Sequence, residues 1–213
     1  MQVTVFGATG RTGRPLVAQA LDRGHEVVAF ARSAAKVDRE DPDLTVVEGD
    51  AYTGGGVAEA VAGADAAVSV LGQTDEGPDD LLTVAGENIL DAMDEAGVDQ
   101  FVTLVGAGVR KKGESVTLSG RVMGALLKLL ARQVLEDAKA HVERVRVTDL
   151  DWTVVRAPRL TDGEGTGEYR AGDIDLGFES VARADVARFV LDCLEGEQYV
   201  REMPKIGPAN ASE

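Results

Sequence analysis

The chain has 213 residues, 44% hydrophobic and 28% charged, enough apolar material to bury one real core. That composition excludes a disordered, collagenous or disulfide-scaffold protein. Asp and Glu outnumber Lys and Arg by 37 to 22, and the net charge of −15 argues against nonspecific nucleic-acid binding and against an anionic membrane surface. The basic residues are mostly arginine, and such an acidic, lysine-poor surface suits a high-salt cytoplasm, where carboxylates keep the chain hydrated and salt screens their repulsion; the alternative is an ordinary acidic protein. Cys193 is the single cysteine. An intrachain disulfide and a cysteine-rich zinc site are therefore ruled out, and a buried small hydrophobe is expected.

In chain order, residues 3–6 read as a strand, and no basic segment of a signal peptide precedes them. A helix over 15–23 opens on Pro15 and stops at Gly24. Further strands are predicted at 26–30, 44–47, 66–71, 101–105 and 152–155. They are rich in valine with little polar alternation, as in strands covered on both faces of a parallel sheet. Residues 80–96 place Leu82, Ala85, Ile89 and Met93 on one helical stripe before Gly97. A long helical region is expected over 119–146. Its most apolar stretch carries Arg121, Lys128 and Arg132, which a membrane span would exclude. The glycine-rich piece 161–172 reads as a surface loop near the carboxyl ends of the strands, where specificity commonly sits, or as a disordered connection. The last helix is expected over 183–194. This alternation gives an α/β fold, a doubly wound parallel sheet in a single domain. A soluble, cytoplasmic protein is expected.

The strongest chemical signal is Gly7-Ala8-Thr9-Gly10-Arg11-Thr12-Gly13 between the first strand and the first helix. Gly7 allows a tight turn, Gly10 lets backbone approach a pyrophosphate, and Gly13 lets the helix pack close to the strand. The helix N-terminus then offers N–H groups and a positive dipole end to the phosphates. The competing reading is a purely structural glycine turn. After the second strand no acid waits for a ribose 2′-hydroxyl. Arg32 and Lys36 stand there instead, suited to a 2′-phosphate, so NADP(H) is favoured over NAD; the alternative for both is a solvated charge. Asp50, after the third strand, could accept from the adenine amino group or make an Asx turn. Gly72, after the fourth, would let backbone lie against the adenosine ribose and phosphates.

GATGRTG, the Arg32 turn, Glu48-Gly49-Asp50 and Val70-Leu71-Gly72 resemble the atypical short-chain dehydrogenase/reductases, most closely the NmrA-like and biliverdin-IXβ (flavin) reductase branch. LDWTVVRAP (residues 150–158) is similar to that branch's LDWTVVRP strand, and RADVA (183–187) to its SRADVA helix start. The resemblance implies one Rossmann domain over 1–213, with a small substrate-side region from about 157 to 213. It implies NADP(H) across the sheet. In reductase members hydride passes to a flavin or linear tetrapyrrole; in others the cofactor is only sensed. By position, Thr9, Gly10, Arg11 and Thr12 would line the phosphates, and Arg32 and Lys36 the 2′-phosphate. Asp50 and Ala51 would face adenine, Leu71, Gly72 and Gln73 the adenosine side, and Gly106, Pro158 and Arg159 the nicotinamide. Lys139 falls near the family's helix lysine, where it could touch the nicotinamide ribose or pair with Glu143.

The departures narrow the chemistry. Four residues after Tyr52, Tyr169 and Tyr199 stand Gly56, Asp173 and Met203, so the Tyr-x-x-x-Lys pair is absent, and Gly106 stands where the serine after the fifth strand is expected. An alcohol oxidoreductase needs a positioned acid/base, whereas a flavin or similar planar acceptor can take its proton from water. No catalytic residue is therefore assigned. The readings are an NADPH-dependent reductase of a planar acceptor, then a non-catalytic NADP(H)-sensing regulator, then an epimerase/dehydratase-like enzyme. His25 and His141 lack the companions a metal site needs. Asp185 is expected to cap its helix and Trp152 to lie in the core. The expected partner is a small molecule, with no nucleic acid and no membrane. No interface signature is evident, and a monomer fits the reductase branch.

Overall fold

Valine- and alanine-rich runs without polar alternation are stable as strands only when both sheet faces are covered, and here they are. The computed structural model describes residues 1–73, 77–111, 113–114 and 131–209. Its eight-stranded sheet contains β1 (Gln2–Phe6), β2 (Glu26–Ala31), β3 (Leu44–Glu48), β4 (Ala66–Ser69), β5 (Gln100–Gly106), β6 (Asp151–Ala157), β8 (Tyr169–Gly172) and β10 (Lys205–Pro208). The order is β3-β2-β1-β4-β5-β6-β10-β8, parallel except for β8, which runs antiparallel to β10 at the edge. The first six positions follow the Rossmann order, and the direction of winding reverses between β1 and β4, where a ligand crevice opens at the carboxyl ends. A separate parallel pair joins β7 (Arg159–Thr161) to β9 (Ser180–Ala182).

Alternation along each strand divides the core in two. On one face α2 (Val57–Val61), α3 (Leu81–Ala96) and α4 (Arg132–Arg146) cover Phe6, Phe30, Phe101 and Trp152. On the other, α1 (Gly13–Asp22) and α5 (Arg183–Gly196) cover Val3, Val5, Val102 and Val155. Trp152 and Cys193 are buried as expected, and burial pushes the Cys193 thiol up to about 12. No helix among the described residues is long and apolar enough to cross a membrane.

Several boundaries differ from expectation. β4 ends at Ser69, so residues 70–73 form the crevice wall rather than strand. Helix is described from Arg132 to Arg146; residues 115–130, the rest of the expected long helix, lie outside the described residues. Residues 161–172 are not simply a surface loop: Thr161 ends β7 and Tyr169–Gly172 is an edge strand. Asp185 does not cap its own helix. Its carboxylate accepts the N–H groups of Thr166 and Gly167 (3.1 and 2.9 Å), pinning that segment to α5. Beyond residue 157, α5 completes the sheet's second layer, and β10 and β8 complete the sheet out to its edge. The short elements α2 and β7–β10 carried no periodicity long enough to read.

A candidate nucleotide crevice

The glycine turn is built by close backbone contacts. Gly7 has φ +85°, a left-handed conformation that favours glycine, and its carbonyl accepts Gly10 N–H at 2.9 Å. A Cβ on Gly13 would stand 2.0 Å from Gly7 O and 2.7 Å from Ala8 Cα, so only glycine lets α1 start against the turn. A Cβ on Gly7 would press on the Val70 carbonyl at 3.0 Å, locking the turn to the end of β4. Thr12 makes no side-chain cap and the first turn of α1 has no acid, so among the described residues no side chain caps the helix's amino end, and its dipole favours an anion. Thr9 is half-buried, Gly10 and Arg11 are exposed, and Thr12 is buried.

At the adenosine end, Arg32 and Lys36 are exposed after β2 and make no ion pair among the described residues. Glu48 at the end of β3 accepts the Ala34 N–H at 2.9 Å, holding the short turn Ala34–Lys36. Arg14 was missed by sequence reasoning. Its Nε donates to Thr9 O (3.1 Å) and its Nη2 to Lys36 O (3.3 Å), and its Nη1 pairs with Asp38. It therefore ties the glycine turn to the segment after β2; a basic residue directly after the third glycine was the available signal. One oxygen of Asp50 accepts Tyr52 N–H (2.9 Å) in an Asx turn. The buried Ala51 gives its carbonyl to Asn88 at 2.8 Å.

Further along the crevice, Gly72 stands past β4, on the side expected for adenosine, and Gly106 at the end of β5, on the side expected for the nicotinamide. Among the described residues a Cβ at either would meet nothing within 4 Å, leaving two bare stretches of backbone. Leu71 packs against the core. Ala107 N–H donates to Ala157 O (2.7 Å), bringing the β5 and β6 ends together beside the half-buried Pro158 and the exposed Arg159. Gln73 Nε2 donates to Asp79 O (2.6 Å) and to Asp137 (2.8 Å). Asp137, buried on α4, also accepts Leu82 N–H, Thr83 N–H and Thr83 Oγ1–H at 2.9, 2.9 and 2.6 Å, so it caps α3 from across the layer. One turn on, His141 bonds Thr103 Oγ1 at 3.0 Å against Gly86. Its desolvation outweighs nearby Asp137 and lowers its pKa to about 4, so it is neutral at pH 7. Lys139 lies on the exposed side of α4 without an ion pair among the described residues, while Glu143 pairs with Arg146.

The tyrosines serve elsewhere. Tyr52 hydroxyl donates to Asp80 (3.1 Å), Tyr169 to Asp192 (2.5 Å), and Tyr199 packs edge-on to Phe189. On the substrate side, Asp162 pairs with Arg11 (3.6 Å) and with Arg183 at the start of α5 (2.6 Å). Deeper, the fully buried Arg156 bonds Glu114 (2.6 Å), Val109 O (3.1 Å) and Met203 O (2.9 Å), and Glu114 also pairs with Lys205 (2.6 Å). Burial raises the Glu114 pKa, but hydrogen bonds from Lys205, the Lys111 N–H and Arg156 outweigh it and hold it at about 2. This cluster fastens the segment after β5 to β6 and β10. No group of His, Cys, Asp or Glu among the described residues could hold a metal ion.

A glycine turn at the switch point, uncapped toward an anion, is the geometry of dinucleotide binding, and the profile of the NAD(P)H-binding family matches residues 7–197. The chain belongs to this family. Its cofactor class is thus a nicotinamide dinucleotide, on an oxidoreductase-type fold. The chain is similar to YwnB of Bacillus subtilis (strain 168), 27% identical over 213 residues and covering 95% of this chain and 96% of that one. Its fold is that of ChuY, an anaerobillin reductase of Escherichia coli O157:H7 (TM-score 0.81, 21% identity, all of both chains). The oxidoreductase ylbE of Lactococcus lactis shares it too (TM-score 0.82, 17% identity, 100% of this chain and 93% of that chain).

Proposed function

We propose that the protein is an NADPH-dependent reductase that passes hydride to a flavin or a similar planar acceptor. The observation that carries this reading is the open glycine Gly106 at the end of β5, where a Cβ would meet nothing within 4 Å among the described residues; Gly72, open in the same way past β4, serves the adenosine side. Bare backbone offers a flat floor on which a nicotinamide and a second planar ring can stack. The bound nicotinamide would supply hydride, one proton carried with two electrons; the second proton of the reduction would come from water. Gly7, Gly10, Gly13 and the amino end of α1 bind and orient the pyrophosphate. Arg32 and Lys36, unpaired among the described residues, hold the 2′-phosphate and favour NADPH over NADH. Pro158 and Arg159 border the nicotinamide, and Lys139 remains a candidate for its ribose. A cytoplasmic reductase adapted to high salt accords with the charge of −15.

A second reading has its own support. No tyrosine–lysine pair stands at the open glycines among the described residues, which also suits a sensor that binds NADP(H) without turning it over. One experiment separates the two. NADPH and NADH are titrated in parallel against the thermal melt in molar KCl. FMN is then added and loss of the reduced-nicotinamide absorbance is followed. A nucleotide at about 100 times its Kd should add about 2.7 kcal/mol to the folded state. Stabilisation by NADPH with FMN-dependent oxidation supports the reductase, and stabilisation without turnover of FMN or a linear tetrapyrrole supports the sensor. No shift with either nucleotide removes both readings.

A further inference from the structure

Arg11 and Arg14 flank the glycine turn, and each is paired with a carboxylate that reaches in from a different neighbouring loop. Arg14 is held by Asp38, from the segment after β2 that also carries Arg32 and Lys36, and it donates to the Lys36 carbonyl. Arg11 is held by Asp162, from the segment after β7, which a second guanidinium, Arg183 at the start of α5, also grips. Both acids are about two-thirds exposed, so neither is needed to neutralise a buried charge. A protein of net charge −15 nonetheless places them against two of the arginines nearest the turn.

We infer that Asp38 and Asp162 are intramolecular stand-ins for the two anionic parts of the cofactor: Asp162 for the pyrophosphate at Arg11, Asp38 for the 2′-phosphate at Arg14. This rests on the NADP(H) reading above and adds Arg14 and Arg183 to the residues that govern it. Cofactor entry exchanges one partner for another at each guanidinium. A phosphate arriving at Arg11 takes the place of the Asp162 carboxylate, which Arg183 keeps close by at 2.6 Å; Arg183 is only 12% exposed. A phosphate arriving at Arg14 displaces Asp38, while the bonds of Arg14 to the Thr9 and Lys36 carbonyls keep its guanidinium aimed at the site. The two exchanges report on different parts of the ligand. NADPH carries both anions, whereas NADH carries only the pyrophosphate. The segment after β7 also borders the substrate side, so releasing Asp162 from Arg11 loosens that segment as the cofactor seats.

The test is the affinity of the full chain for NADPH and NADH in D38N and D162N, at low salt and in molar KCl, with nucleotide-free melts as the control for folding. Removing one exposed carboxylate that competes for an arginine is expected to tighten binding by about two- to fivefold. D162N should tighten both nucleotides by the same factor. D38N should tighten NADPH and leave NADH unchanged. Both gains should shrink in molar salt, where exposed charges are screened. An unchanged or weaker affinity in D162N overturns the inference. So does D38N weakening NADH, which would make Asp38 an acceptor for the ribose hydroxyl, or D38N changing both nucleotides equally. If the wild-type chain binds nucleotide and the variants match it, this inference alone fails. If the wild-type chain binds neither nucleotide, the functional reading fails and takes the inference with it.

Discussion

Replacing Gly13 with alanine isolates what the glycine turn does. The added Cβ would stand 2.0 Å from Gly7 O, 2.7 Å from Ala8 Cα and 2.8 Å from the Ala8 carbonyl carbon, whereas Cβ atoms essentially never approach another atom within 3.0 Å. All three obstacles are backbone, so no side chain can rotate away, and the turn must retreat from α1 by about 1 Å. Overpacking of this kind costs about 1–3 kcal/mol, and a rigid backbone obstacle sits at the upper end. Alanine in place of glycine returns up to about 1 kcal/mol of helix propensity. The net loss is about 2 kcal/mol, read as a fall in melting temperature of about 4–8 °C for a domain of this size. Gly72→Ala is the companion variant. Its Cβ meets nothing within 4 Å among the described residues, so the nucleotide-free melt should stay within about 0.5 kcal/mol of wild type. The assay is thermal and urea denaturation with and without saturating NADPH. G13A should lose both intrinsic stability and most of the NADPH-induced shift; G72A should lose only the shift. A G13A variant with wild-type melting and a full NADPH shift would refute the packing argument and the phosphate-turn reading together.

Four further outcomes follow from the buried polar groups. His141 has a pKa of about 4 in the fold against 6.5 unfolded, so the unfolded chain takes up the proton first and stability falls as pH drops from 6.5 to 4. The loss should approach about 3 kcal/mol in urea titrations across that window, and His141→Gln, which cannot titrate, should flatten the window even if its overall stability is lower. Glu114, held at about 2, contributes stability that is full above its ordinary value near 4.5 and disappears as pH falls toward 2. Glu114→Gln should cost about 3 kcal/mol at neutral pH by leaving Arg156 buried without its anion, measured by urea denaturation. Asp137→Asn keeps only one acceptor oxygen for the Leu82, Thr83 and Gln73 donors and should cost about 2 kcal/mol, with faster amide exchange at the start of α3. The Cys193 thiol, buried and raised to about 12, should resist thiol reagents in the native protein at pH 8 and react at once in denaturant.

Local chemistry and short-range pattern were enough for the parallel sheet, the positions of its first six strands along the chain with the longer helices between them, and the glycine turn. A valine run covered on both faces has no polar alternation, Gly7 sits in a left-handed conformation that favours glycine, and Gly13 has no other residue type that fits its contacts. The empty acid position after β2 and the missing tyrosine–lysine pair were legible for the same reason, since each is a matter of which residue follows which. What only the tertiary structure decided is long-range pairing. Asp137 caps α3 from another helix, Asp185 pins a loop rather than its own helix, and Arg11 and Arg14 meet carboxylates 151 and 24 positions away in sequence. No periodicity encodes such contacts, because a charged side chain reads the same in sequence whether it faces water or a partner; only the packing of the layers fixes which carboxylate reaches which guanidinium.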